Sequence, residues 1–204
     1  SGCTTGILLW DLSSAFDTID VELLCRKLKL YGVVDNSVRW FRSFLSDRKQ
    51  QVQIGSSRSQ TEKISVGCPQ GSLLSPLLFL IYIADMSLWV NNVAINGYAD
   101  DTATFVSDVD ESAVISKLEA DAKQMLHFMA SNFLSANPQK TGFLLIRKKN
   151  SMTPQTIKVG NEMITEKDNH RILGLTVNKN LTWNDHIFGK GGLLSSVNQR
   201  VGAL

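Results

Sequence analysis

The chain has 204 residues, 43% of them hydrophobic and 20% charged, with a formal net charge of +2. That length allows one sizeable domain, or one domain with part of a second, and the balance excludes a disordered chain. The charge is uneven: residues 1–137 carry 11 Lys/Arg against 15 Asp/Glu, and residues 138–204 carry 10 against 4. The basic C-terminal third reads either as a surface that faces phosphates or as an ordinary solvated face. Cys3, Cys25 and Cys68 are an odd number with no metal-ligand spacing, which reads as free thiols in a reducing compartment. The longest apolar run, Leu77 to Ala84, is too short to cross a bilayer, and no secretory signal is visible. The chain opens on Ser1 where a strand approaches, so it is expected to be cut from a longer polypeptide.

In chain order, Ile7 to Trp10 is a short apolar run of buried-strand type that ends in Asp11. Asp20 suits an N-cap for a helix with Val21, Leu23, Leu24, Leu28 and Tyr31 at helical spacing, closed by Gly32. Residues 35–45 form a second amphipathic pattern. Gln51–Ile54 and Lys63–Val66 alternate around Gly55-Ser56-Ser57, which predicts a hairpin. Residues 76–89 predict one apolar helix with Pro76 in its first turn.

Residues 94–105 predict two short strands around a turn, and 110–133 a long helix with Val114, Leu118, Met125, Phe128 and Met129 on one face. Residues 141–146 and 171–177 are strand-like, 147–155 read as a polar loop, and a helix starts after Trp183 against the pull of Gly189, Gly191 and Gly192. Arg147, Lys148 and Lys149 form a basic run that phosphate contact and a solvated loop explain equally. This order of elements predicts an α+β fold, with helices packed on one face of an antiparallel sheet.

The chemistry concentrates in Asn96-Gly97-Tyr98-Ala99-Asp100-Asp101-Thr102. Asp is depleted in strands and common in turns, so taken alone this is a hairpin tip. Asp11 ends another apolar strand. If the two elements are neighbours, three carboxylates converge, and two like charges about 4 Å apart repel by roughly 4 kcal/mol at an effective dielectric near 20. Such a cluster stays ionised when cations fill it, and Mg²⁺ suits it best because it takes hard oxygen ligands and keeps positions for water and phosphate. Two such ions would clamp an in-line phosphoryl displacement.

The sequence resembles the reverse transcriptases of non-LTR (LINE-type) retrotransposons, through five motifs in the family's order. Asp11-Leu12-Ser13-Ser14-Ala15-Phe16-Asp17-Thr18-Ile19-Asp20 resembles the first. Gly67-Cys68-Pro69-Gln70-Gly71-Ser72, continuing to Phe79, resembles the second. Tyr98-Ala99-Asp100-Asp101 resembles the signature box, Asn137-Pro138-Gln139-Lys140-Thr141 the fourth motif, and Ile172-Leu173-Gly174-Leu175 the primer-grip turn. Cys68, Ser75 and Phe128 stand where the family usually has an aliphatic residue, Gly and Trp.

The resemblance implies an RNA-directed DNA polymerase core: a palm of ferredoxin-like α+β type over residues 1–180 with a partial fingers insert, and a truncated thumb beginning in 181–204. Asp11, Asp100 and Asp101 would bind two Mg²⁺ ions, with Mn²⁺ as a substitute, helped by the Leu12 carbonyl. Phe16 would be a steric gate under the sugar, the alternative being a plain core aromatic. Gln70 and Gly71 would line the incoming nucleotide, the alternative being a glycine turn before a helix, and Tyr98 would join the substrate side. Lys140 would sit near the leaving pyrophosphate, or be a solvated lysine. Leu173 and Gly174 would steer the primer, or form an ordinary turn.

The partners implied are an RNA template, a DNA primer and dNTP, with no membrane, and with upstream fingers and endonuclease domains of a parent polyprotein. Nucleus and cytoplasm are the implied compartments. With the family's leading fingers segment absent, the alternative function is a folded but inactive retrotransposon remnant. An RNA-templated RNA polymerase on the same palm is a further alternative, which a bulky Phe16 disfavours.

Overall fold

The structure is a computed structural model and describes residues 2–137, 140–147, 153–189 and 192–195. In chain order its elements are β1 (Thr4–Asp11), α1 (Val21–Leu30), α2 (Asp35–Leu45), β2 (Arg48–Gln50), β3 (Gln53–Ile54), β4 (Ser57–Arg58), β5 (Glu62–Ile64), α3 (Ser75–Ile83), a 3₁₀ segment (Ala84–Leu88), β6 (Ala94–Tyr98), β7 (Asp101–Asp108), α4 (Glu111–Ser131), β8 (Gly142–Ile146), β9 (Thr156–Val159), β10 (Glu162–Thr165), β11 (Asn169–Ile172), β12 (Leu175–Asn178) and α5 (Asn184–Phe188). The chain divides into two compact units. One holds residues 1–11, 89–126 and 136–204, the other residues 12–88 and 127–135. The α+β class with antiparallel sheets agrees with the sequence reading. Among the described residues no helix is long and apolar enough to cross a membrane.

The first unit is built on a four-stranded sheet in the order β6-β7-β1-β8, and every pairing in it is antiparallel. Strand alternation sorts β1 into two faces. Gly6, Leu8 and Trp10 point to the core, where Gly6 lies against Val114 and Leu118 of α4 and the Trp10 indole donates to Thr104 Oγ1 at 3.1 Å. Ile7, Leu9 and Asp11 point the other way. Asp121 of α4, 2% exposed, accepts from the backbone amides of Asn91, Asn92 and Val93, and so ties down the loop that leads into β6.

In the second unit the core gathers Ile19, Leu24, Cys25, Leu28, Leu45, Leu78, Phe79, Tyr82 and Phe128. Asp20 caps α1 as expected, accepting from the Leu23 amide at 2.7 Å. The predicted single hairpin near residue 55 is two short ladders, β2–β5 and β3–β4, with the break bridged where the Val52 amide meets Ser59 Oγ and the Ser59 amide meets the Val52 carbonyl. The predicted helix 76–89 is also corrected: α3 stops at Ile83 and continues as 3₁₀. The Lys27 ammonium takes the Tyr82 carbonyl at 2.6 Å and pairs with Asp85, capturing an acceptor that a continuing α-helix would use.

Two further corrections fall in the C-terminal third. The strand predicted over 171–177 is the hairpin β11–β12, and β9–β10 is an additional hairpin closed by Gly160-Asn161. Of the basic run, Arg147 fits neither phosphate contact nor a solvated loop: its side chain is 6% exposed and lies between Glu111 and Glu166, at 2.9 Å from each. Lys148 and Lys149 lie outside the described residues.

Candidate active site at the carboxylate end of the sheet

β6 and β7 meet in a two-residue turn, Ala99-Asp100, and Ala99 takes φ 55°. A left-handed backbone costs a non-glycine residue about 1–2 kcal/mol, a strain that typically persists where function or surrounding structure demands it. The register then does the rest. Tyr98 stands opposite Asp101, and Asp101 stands opposite Asp11 on β1, so the three form one row across three strands. Directly opposed residues of a ladder share a face, with Cβ atoms about 4.5–5.5 Å apart. Asp100 is the turn residue adjacent to that row.

The electrostatics record this crowding. Burial pushes the Asp101 carboxyl above its ordinary range, the Asp100 and Asp11 charges push it further, and His170 opposes them. Lys140 Nζ lies 3.7 Å from Asp11 Oδ2, and both side chains are substantially open to solvent. At that exposure the ion pair is worth little to stability, so Lys140 is better described as a nearby solvated cation. The Asn137 amide fixes the Asp11 carbonyl at 2.8 Å. Pro138 and Gln139 of the fourth motif lie outside the described residues.

Beside the row is a cleft of about 310 Å³. Its floor is the open face of the sheet, with Ile7, Leu9, Ala103 and Phe105 below Asp11 and Asp101, and its far wall is β11 with Leu173. The Leu173-Gly174 turn has φ 48° and 83° at its two central residues. Two successive positive values make the type I′ turn that matches strand twist, and Gly174 is the residue that adopts it without strain. His170 also lines this cleft. Burial pulls its imidazole below the ordinary histidine range, as does Lys167, while Asp101 and Asp11 pull the other way.

The remaining sequence candidates sit in the second unit. Leu12 is buried. The Phe16 ring is half-buried and lies 4.7 Å from the fully buried Phe79 ring, so one face is packed and part of the ring is open. Gln70 is exposed, and its amide nitrogen donates to both oxygens of Asp17, at 2.9 and 3.1 Å. Asp17 accepts only, so the amide oxygen of Gln70 faces away from it. Gly71 follows at φ 78° with open space where a Cβ would stand.

The departures from the family pattern are accommodated locally. Ser75 Oγ donates to the Pro69 carbonyl at 2.6 Å, Phe128 is fully buried, and burial pushes the Cys68 thiol up to about 11, which makes it inert.

Sequence reasoning missed His170, Asp17 and the Arg147 ion pairs. Among the described residues no group of three or more His, Cys, Asp or Glu side chains is arranged to hold a metal ion as it stands. Asp11 and Asp101 are nevertheless paired all-oxygen donors with Asp100 adjacent. Mg²⁺ takes one or two carboxylates and fills its other positions with water and phosphate, so the donor chemistry fits it.

Comparison with known proteins identifies the family. Residues 2–177 match the family described as reverse transcriptase (RNA-dependent DNA polymerase). The chain is 26% identical over 190 residues to the RNA-directed DNA polymerase from mobile element jockey of Drosophila melanogaster, covering 87% of this chain and 20% of that protein. It is 27% identical over 192 residues to the probable RNA-directed DNA polymerase from transposon BS of the same species, covering 87% and 20%. It therefore spans about a fifth of the length of these curated relatives.

Among solved structures, apo telomerase from Candida tropicalis truncated from its C-terminal domain superposes with a TM-score of 0.59 at 14% identity, over 88% of this chain and 35% of that one. That likeness is one of fold. With residues 2–177 matched by the family, and with relatives among mobile-element polymerases, the chain belongs to the reverse transcriptase family.

Proposed function

We propose that this chain carries the catalytic centre of an RNA-directed DNA polymerase, which transfers dNMP from a dNTP to a primer 3′-hydroxyl on an RNA template. The observation that carries this reading is the row Tyr98, Asp101, Asp11, with Asp100 at its turn, beside an open cleft. Asp11, Asp100 and Asp101 would hold Mg²⁺, or Mn²⁺ in its place, together with the Leu12 carbonyl. Two ions bound there would acidify the attacking hydroxyl and neutralise the triphosphate. The raised proton affinity of Asp101 fits a site whose charge is completed by cations.

The chain's own groups do the rest of the work. Lys140, which stands near Asp11, supplies positive charge where pyrophosphate departs. Leu173 and Gly174 present the turn that steers the primer end. Gln70 presents an amide oxygen as an acceptor for the incoming nucleotide, and Gly71 keeps the adjoining backbone uncovered. Phe16, stiffened by Phe79, occupies the space of a ribose 2′-hydroxyl. Residues 1–180 form the polymerase core and 181–204 begin the thumb, within a parent protein that also supplies fingers and endonuclease segments. The template and primer are gripped through phosphates, so affinity falls as salt rises.

The test is primer extension on an RNA template by the parent protein, with and without Mg²⁺, comparing wild type with Asp100→Asn. Metal-dependent extension that the variant lacks is the expected result. No incorporation by the wild type would favour the inactive-remnant reading, and equal activity of the two proteins would end the proposal. A second prediction separates DNA from RNA synthesis. Phe16→Val removes ring volume without removing a charge, and is expected to raise rNTP incorporation relative to dNTP by roughly 10- to 100-fold, as one pocket contact commands about 1–3 kcal/mol of discrimination. An unchanged ratio of kcat/KM for the two sugars would return Phe16 to a core role.

A further inference from the structure

Segment 167–170 is fastened to the start of β8 by three contacts within the first unit. The Lys167 amide donates to the Phe143 carbonyl at 2.8 Å, and the Lys167 ammonium donates to the Thr141 carbonyl at 3.3 Å. The third contact is unusual. The His170 imidazole lies so close over Gly142 that a Cβ there would stand 2.5 Å from Nδ1 and 2.7 Å from Cε1. Gly142 has no positive φ, so its backbone does not call for glycine, and the ring above it does.

Both ends of this contact lead to the site. Gly142 pairs with Leu9 on β1, two residues before Asp11. His170 lies in β11, three residues before the Leu173-Gly174 turn, and its ring lines the same cleft as Asp11 and Asp101. The open polypeptide edge at Gly142 thus acts as a notch, and the imidazole fills it.

We propose that the Gly142 notch and the His170 ring form a seat that sets the distance between the Leu173-Gly174 turn and the carboxylate row, which makes His170 a positioning residue for the primer end. The seat itself follows from the contacts above, whereas its effect on a primer rests on the polymerase reading. The seat is rigid because β8 is buried along residues 142–145 and cannot yield. Any side chain at 142 therefore displaces the ring, and on this proposal β11 and the turn move with it instead of the ring alone rotating away. A shift of about 1 Å at a group that positions substrate can cost up to about 100-fold in rate.

Three forms of the parent protein test this: wild type, Gly142→Ala, which forces the ring out of the notch, and His170→Ala, which removes the ring and leaves the notch empty. Primer extension is expected to show KM for primer-template raised on the order of 10-fold in both variants, with KM for dNTP changed by less than about 2-fold. Amide hydrogen exchange of residues 169–178 reads the seat without any activity, and should rise in both variants. Unchanged exchange in Gly142→Ala would overturn the seat. Raised exchange with an unchanged primer KM in both variants would overturn the positioning role. Should wild type extend no primer at all, the polymerase reading falls alone, and the exchange data still decide the seat.

Discussion

Replacing Asp101 by Asn is expected to reduce nucleotide transfer by about 1,000-fold or more, while making the folded chain more resistant to heat. The loss follows because metal-assisted charge stabilisation supplies several kcal/mol, and each 1.36 kcal/mol is tenfold in rate. The gain follows from repulsion. The folded state holds the Asp101 proton more tightly than the unfolded chain does, through burial and the charges of Asp100 and Asp11. A carboxyl whose folded pKa lies above its unfolded value costs nothing when both states are protonated, and the cost appears as pH rises through the carboxylate range. The advantage of Asp101→Asn should accordingly be present at pH 7 and vanish below about pH 4. Asp101 is largely open to solvent, so a rise in Tm of roughly 1–3 °C is the scale to look for. Added Mg²⁺ should raise the Tm of wild type and leave the variant nearly unmoved. A variant melting below wild type at pH 7 would contradict this account of the site.

Gly67→Ala is expected to destabilise the chain by about 2–5 kcal/mol, the sum of left-handed strain and overpacking. Gly67 takes φ 79°, and a Cβ there would stand 2.8 Å from both the Cα and the carbonyl oxygen of Asp17. Those are backbone atoms, so no rotamer change relieves the clash. They are also held: the Gly67 amide donates to the Ile19 carbonyl at 2.7 Å and the Cys68 amide to the Phe16 carbonyl at 2.8 Å, while Arg48 grips the carbonyls of Val66 and Gly67. Gly71→Ala is the matched control. It shares the positive φ but has open space, so it should cost only the strain, about 1–2 kcal/mol. Denaturant midpoints of the two variants measure the difference, and equal losses would mean that the contact with Asp17 is unimportant.

Local signals were legible wherever a residue's neighbours in sequence decide its state. Asp20 announced a helix cap, and the apolar runs around Ala99-Asp100 announced two strands and a tight turn, because caps and two-residue hairpins are short-range chemistry. The β9–β10 hairpin was equally available in Gly160-Asn161 between alternating residues, and its weak apolar content hid it.

What stayed hidden depends on partners remote in sequence. Nothing near Arg147 indicates that Glu111 and Glu166 will enclose it, and nothing near Ile83 indicates that Lys27 will take the Tyr82 carbonyl and tighten the helix. The pairing of Gly142 with His170 is of the same kind, since each looks unremarkable in its own segment. Asp11 was placed beside the acidic turn from motif resemblance, and spacing alone would not have done it.

The sheet order has a consequence for synthesis. β1 leaves the ribosome well before the strands it pairs with, since Leu8 pairs with Thr104 on one side and Phe143 on the other. At about 5–20 residues per second, the strand waits roughly 5–20 seconds for its first neighbour and longer for its second. Throughout that interval Ile7-Leu8-Leu9-Trp10 is an apolar ribbon with two vacant hydrogen-bonding edges, the kind of segment that seeks strands on other chains. The inner position of β1 in the sheet thus leaves the nascent polypeptide with an exposed apolar strand until translation reaches β8.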